Sequence, residues 1–291
     1  MKIIDSTTYF EEKMMMDLRF NILDPYIDKF IVCEARFTHS GKKKEINFNK
    51  KDYPKFEDKI IHLIVDNQPE DIIMKENISS KELRLNSVSR IKHQRNFIMK
   101  TLKNFSPHDY IIYSDNDEIP KLDNFDFKSN KEKIIMFNQK LFYYKFNLGL
   151  PYLDWYGSKA CKIKNLKNID LLRHSKNKKY PFYRFDTFFS DIKHQSVNLI
   201  KNGGWHFSNL KTIEELERKY LNDENHAEYE TQGHSMIKIQ ESIKNKYVNY
   251  NHKAKKESNE KFNRTKLEKI EKSSLPKYLI NNLDKYKNWF D

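Results

Sequence analysis

The sequence predicts an α/β fold with a mostly parallel central sheet and helices on both faces. Three observations carry this expectation. Short apolar, β-prone runs at residues 2–4, 29–35, 60–65 and 110–114 are separated by helical or loop stretches. Parallel strands need such long crossovers, because a tight hairpin can only join antiparallel neighbours. The apolar content is 38%, with 20 Phe and 17 Tyr, which suffices for a sizeable core carried by aromatics. The length of 291 residues suits one large domain, or one domain with an appendage.

The elements follow in order. Residues 2–4 read as a short first strand. Residues 9–23 read as a helix with an apolar stripe at Phe10, Met14, Leu18 and either Asn21 or Ile22, stopped by Pro25. The Met triplet within it reads as core filler. Residues 29–35 form a buried strand, Ser40-Gly41 marks a loop, and residues 60–65 form a third strand. Residues 81–104 form a long basic helix, and residues 110–114 a fourth strand. Strands follow at 133–144 and, after a turn, within 152–165; residues 166–200 give no clear pattern. Thr212 and Glu215 form a capping box for a helix at 212–222. Two units are expected: residues 1–235, and a basic, helical extension at 236–291.

Formal net charge is +13, mostly from lysine, which favours anionic partners such as nucleotide phosphates, nucleic acid or an anionic membrane. Lys/Asn/Ile-rich usage with 6 Gly also fits an AT-rich coding sequence, which accounts for much of the lysine excess. Cys33 and Cys161 lie in apolar segments and read as buried free thiols. The first residues hold too short an apolar run for a signal peptide, and no stretch approaches the roughly 20 apolar residues of a membrane span. The expected location is cytoplasmic, with possible peripheral contact at the inner face of the membrane through the basic C-terminal region.

The most informative run is YIIYSDNDEIP at 110–120. A β-prone segment runs into Asp115, Asp117 and Glu118, and a proline then stops it. In extended geometry Asp115 and Asp117 share one side of the chain. Carboxylates suit magnesium or manganese, which commonly bind substrate phosphates with only one or two protein ligands. A solvated acidic turn is the plainer alternative. Ligands of such sheets bind at the carboxyl ends of strands, where the acidic cluster lies and Glu34 ends another strand. No glycine-rich phosphate loop is present, so phosphates would need a metal and basic side chains.

Several blocks, in order, resemble glycosyltransferase family 17: DSTTYFEEKMMMDLRFNIL, DKFIVCEARFTHSGKKK, YIIYSDNDEIP, KLFYYKFNL with WYGSKACKIKNL, and NGGWHFSNL with NHAEY. They cover roughly residues 1–235. The resemblance implies a GT-A fold and inverting, metal-dependent transfer of N-acetylglucosamine or a related hexose from a UDP-sugar. It implies Asp117 as direct metal ligand, Asp115 at the ribose or at the metal through water, and Glu118 orienting both. His206 would complete the metal shell or touch the phosphates, the glycines before it permitting a close approach. Thr7, Thr8, Glu34, Arg90 and Arg95 would contact the donor, and Trp155 or Trp205 a sugar face. The general base would be one of Glu228, Asp154 and Asp186, and His226 has a rival metal role. The family's animal members carry a membrane anchor not seen here. A microbial surface glycan or glycolipid, such as lipopolysaccharide or capsule, is therefore the expected acceptor.

Two other classes compete. A metal-dependent nucleotidyltransferase also uses paired carboxylates, yet the first strand is followed by DSTTYFEE, which offers no Gly- or Arg/Lys-rich phosphate loop. A basic nucleic-acid-binding protein fits the charge. Its positive residues are spread along the whole chain, however, and the acidic cluster would repel a phosphate backbone, so no nucleic-acid partner is expected.

Overall fold

The computed structural model describes residues 1–291 apart from 232–235, 253, 255–259, 261 and 262, and apart from the side chains of 228, 230 and 231. The first half runs β1 (Ile3–Tyr9), α1 (Lys13–Leu23), β2 (Lys29–Ala35), β3 (Ile60–Val65), α2 (Ser80–Phe97), α3 (Met99–Leu102) and β4 (Tyr110–Tyr113). The chain continues through β5 (Glu118–Pro120), β6 (Ile134–Tyr143), β7 (Leu148–Lys162), α4 (Ile169–His174), β8 (Val197–Ile200) and β9 (Gly204–Ser208). Then come α5 (Ile213–Tyr220), α6 (His226–Thr231), α7 (Met236–Lys244), β10 (Tyr247–Val248), β11 (Thr265–Lys266), β12 (Glu268–Lys269), α8 (Lys277–Asn281) and α9 (Leu283–Tyr286).

Among the described residues, ten strands make one sheet ordered β3-β2-β1-β4-β7-β6-β9-β5, with β8 beside β6 and β12 beside β7. The run from β3 to β4 is parallel, as are β6–β8 and β6–β9. The sheet turns antiparallel where β7 enters between β4 and β6, and where β5 and β12 add to it. Strand alternation divides the interior into two faces. Phe30, Val32, Tyr110 and Ile112 face α1, α8 and α9, whereas Ile31, Cys33, Ile111 and Tyr113 pack with Ile98, Leu102, Ile169 and Leu172 of the α2–α4 side. Helices thus cover both faces, as the sequence predicts. Met15 and Met16 are core residues, and both cysteines are buried and free.

Several elements differ from expectation, each for a local reason. β1 continues through Asp5, Ser6, Thr7 and Thr8, polar residues that break the apolar run but find partners inside. Ser6 Oγ donates to the Ile112 carbonyl at 2.7 Å, and Asp5 pairs with Arg19. Residues 9–12 belong to the strand end and a turn, so the first helix begins at Lys13. The Glu12 carboxylate holds that turn by accepting from the amides of Phe10 and Glu11 at 3.1 and 3.0 Å. β7 is a single 15-residue strand where a turn and strand are expected. The capping box at Thr212 and Glu215 is present. The segment after 236 is mixed rather than purely helical, with β10, β11 and β12 among its helices. Leu275, Leu279 and Tyr286 of that segment enter the same core as α1. No helix among the described residues is long and apolar enough to cross a membrane.

Candidate active site

A cavity of about 800 Å³ opens at the carboxyl ends of β1, β2 and β4. Its volume is in the range of small-ligand sites. The acidic loop forms part of its wall. After β4 the chain turns so that the Glu118 amide donates to the Asp115 carbonyl at 3.0 Å, while Glu118 Oε2 accepts from the Asp115 amide at 3.0 Å. β5 then pairs antiparallel with β9, placing Glu118 opposite His206. The Phe207 amide donates to the Asp117 carbonyl at 2.8 Å. This pairing needs glycine at 204: its φ is +135°, and a Cβ there would lie 2.2 Å from the Ile119 carbonyl oxygen.

Strand pairing therefore brings two distant residues together. His206 Nε2 lies 3.5 Å from Asp117 Oδ2, longer than a good hydrogen bond. His206 is buried, and its Nδ1 has no hydrogen-bond partner. Burial would raise the Asp117 carboxyl, but His206 beside it holds it below its ordinary value. Among the described residues no group of three or more His, Cys, Asp or Glu could hold a metal alone. Asp117 and His206 could hold a divalent cation only with ligand oxygens supplying the remaining positions.

Asp115 is differently placed. Its Oδ1 accepts from Arg95 at 3.2 Å and from the Tyr113 hydroxyl at 3.1 Å, and its Oδ2 accepts from Arg173 at 2.7 Å. Burial works against its charge, but the guanidiniums of Arg173 and Arg95 hold it well below the usual carboxylate range. Glu118 ties the floor together: Oε1 accepts from Trp155 Nε1 at 2.7 Å and from Arg173 at 2.9 Å. The Trp155 ring in turn lies 4.7 Å from that of His206, centroid to centroid. Gly157 makes room for Glu118, since a Cβ there would sit 2.3 Å from its carboxyl group and 2.5 Å from Gln139 Oε1. A Gly157→Ala variant is expected to lose about 1–3 kcal/mol of stability by overpacking, checked by urea denaturation. Displacing Glu118 by about 1 Å should also slow turnover about 100-fold. Wild-type turnover in this variant would show that Glu118 does not set the site.

Of the other residues singled out from sequence, Thr8, Arg95, Trp155 and Glu118 line the cavity with Asp115, Asp117 and His206. Thr7 lies beneath, its hydroxyl donating to the Thr8 carbonyl at 3.2 Å. The remaining candidates lie elsewhere. Glu34 is fully buried and holds the following loop, accepting from the amides of Asn47 and Phe48 at 2.8 and 2.9 Å and pairing with Lys44. Arg90 is spent on the Gln68 side chain at 2.7 Å and the His39 carbonyl at 3.1 Å. Trp205 points into the core and donates to the Ser274 carbonyl at 2.7 Å. Asp154 is exposed and accepts from Asn138 at 2.6 Å. Asp186 is exposed and paired with Arg184 and Lys193 at 2.8 and 2.7 Å. His226 is buried, its Nδ1 2.9 Å from the Asp223 carbonyl. Glu228 belongs to α6, but its side chain lies outside the described residues.

Among the cavity residues that the sequence does not single out are Arg173, Lys219 and Asp223. Arg173 comes from α4, in the stretch without a clear pattern. Lys219 and Asp223 come from the end of α5 and the turn after it. Lys219 donates to Asn209 Oδ1 at 2.8 Å and acts electrostatically on both Asp117 and Asp223. Burial pushes the Asp223 carboxyl up to about 6.

A family model described as Glycosyltransferase family 17 matches residues 1–290. The protein is thus a glycosyltransferase, which moves a sugar from a donor to an acceptor. More particularly, the chain belongs to glycosyltransferase family 17. No curated protein sequence matches it. Among solved structures it is similar to HddC from Yersinia pseudotuberculosis, at 7% identity over 70% of this chain and 92% of that one, with a TM-score of 0.32. A likeness that low carries no argument.

Proposed function

We propose that the protein moves N-acetylglucosamine, or a related hexose, from a UDP-sugar to a glycan, with inversion and with help from Mn²⁺ or Mg²⁺. The observation that carries this is the meeting of Asp117 and His206 in the wall of an 800 Å³ cavity at the carboxyl ends of parallel strands. We read the fold as GT-A-type, on the β3-β2-β1-β4 order and the acidic loop after β4. In this proposal Asp117 and His206 would hold the cation, whose chemistry is to neutralise charge on the leaving diphosphate. Asp115 accepts hydrogen bonds at both carboxylate oxygens and keeps Arg95 and Arg173 fixed on the cavity wall. The acceptor would be a surface glycan or glycolipid.

The base is the least constrained role. Asp154 and Asp186 stand outside the cavity and are engaged with other side chains. Asp223 lines it, its carboxyl is raised toward neutrality, and Lys219 acts electrostatically on both it and Asp117. We assign the base role to Asp223. A base must be ionised to take the acceptor proton, so a carboxyl at about 6 loses activity as pH falls below that value. The kcat/KM profile should therefore drop on the acid side near there. Asp223→Asn should cost about 10²–10⁴-fold in transfer while leaving stabilisation by UDP plus manganese intact. An unchanged acid limb in that variant would move the role to Glu228.

The whole proposal is tested by measuring UDP release across a panel of UDP-sugars with manganese, with and without EDTA. Release from UDP-N-acetylglucosamine that EDTA abolishes supports it. Release indifferent to metal would remove the cation from the mechanism, and no release from any UDP-sugar would remove the donor.

A further inference from the structure

The strongest feature outside the cavity is the segment following α4. Phe182, Tyr183, Phe185, Phe188 and Phe189 stand within eight residues, and their exposure runs from 61% at Tyr183 to 93% at Phe189. Water-exposed rings on this scale are unusual on a free surface, and clustered apolar exposure marks a contact site. Their ring contacts are with one another: Phe182 with Tyr183 edge-on at 5.7 Å, and Phe185 with Phe188 stacked at 6.5 Å.

The backbone beneath them is held by polar contacts. Residues 185–189 form a 3₁₀ turn in which Thr187 Oγ1 donates to the Arg184 carbonyl at 2.7 Å. Gln195 braces it by donating to Thr187 Oγ1 at 2.8 Å and to the Phe182 carbonyl at 3.3 Å. The rings are therefore displayed outward by a braced turn whose side chains below are already satisfied.

The charges around the rings are mainly positive. Lys176, Lys178, Lys179 and Arg184 are exposed. The acids nearby are each matched by a cation: Asp186 by Arg184 and Lys193, Glu132 by Lys179, and Asp191 by Lys167. Aromatic rings flanked by lysine and arginine suit the boundary of an anionic bilayer, where rings sit among headgroups and cations meet lipid phosphates. Lys176 and Lys178 have no ion pair among the described residues, and a neutral partner surface would leave their charges unused.

We propose that residues 181–189 dock the protein onto an anionic phospholipid surface. Six residues separate the segment from α4, whose Arg173 lines the cavity, so docking would hold the cavity close to the lipid boundary. The proposal does not depend on donor identity or on the metal.

The test is sedimentation of the full chain with phosphatidylglycerol-containing vesicles and, separately, with pure phosphatidylcholine vesicles. Binding is expected to the first and to be weak to the second, and raising salt from about 0.1 to about 0.5 M should reduce it. A Phe182→Ser/Phe188→Ser/Phe189→Ser variant should lose binding about tenfold or more. Its thermal melting and circular dichroism should match wild type, since these rings add little to the core. Wild type remaining in the supernatant with anionic vesicles, or the triple variant binding as tightly as wild type, would overturn the proposal. So would self-association lost in the triple variant without any vesicle binding, which would make the occupant a second copy of this chain.

Discussion

Asp117→Asn is expected to reduce sugar transfer by about 10²–10³-fold, the scale of losing one group that stabilises developing charge, with the melting temperature close to wild type. The reason lies in the contrast with its neighbour. Asp115 accepts from Arg95, Arg173 and the Tyr113 hydroxyl, so removing its charge leaves two largely buried guanidiniums short of a counter-charge. Asp117 instead faces the His206 ring at 3.5 Å and feels Lys219 electrostatically. Its loss disturbs little packing, and it removes the carboxylate best placed to meet a cation. Asp115→Asn should therefore lower stability and activity together, whereas Asp117→Asn should separate them. His206→Gln should resemble Asp117→Asn more than Asp115→Asn. Transfer assays with manganese, beside thermal melts with and without UDP, check all three. Full transfer by Asp117→Asn would end the metal proposal, and a large stability loss would show that the carboxylate is structural.

Sequence reasoning located this loop and its histidine because both carry strong local signals. An apolar run ends in acids, and a glycine pair precedes His206. The same reasoning placed Glu34, Trp205 and Asp154 at the donor or acceptor, and in each case an adjacent residue lines the cavity instead: Ala35, His206 and Trp155. All three lie on β-strands, where successive side chains point to opposite faces, so an offset of one residue exchanges cavity for core or solvent. Nothing local decides which parity faces the ligand; that depends on how β5, β7 and β9 pair across the sheet. β2 and β3 were legible because their apolar runs are dense, with His62 as the one polar residue inside the β3 run. β1 was legible only in part, since its buried polar residues are explained by partners on α1 and β4. Arg173 and Asp223 have no sequence signature, because their importance arises from where α4 and the turn after α5 come to rest.

Arg19 offers the second large effect. Its side chain is fully buried, and its guanidinium donates from Nε to Asp5 Oδ2 at 2.7 Å and from Nη2 to Asp5 Oδ1. Its Nη1 donates to the Glu118 carbonyl at 2.6 Å. One arginine on α1 thus compensates a charge inside β1 and holds the backbone of the acidic loop. Arg19→Met should cost about 3–5 kcal/mol, because it strands the Asp5 carboxylate in the core. Urea denaturation would read this as a lower midpoint at an unchanged slope. Pairing it with Asp5→Leu removes the stranded charge, and replacing both members of a buried pair with apolar groups is often close to neutral. The double variant should therefore recover much of the stability. It should not recover turnover, because the Glu118 carbonyl still lacks its donor and the loop carrying Asp117 loses its tether to α1. A double variant that regains stability and turnover together would show that Arg19 serves the core alone, and that the acidic loop is held by its pairing with β9.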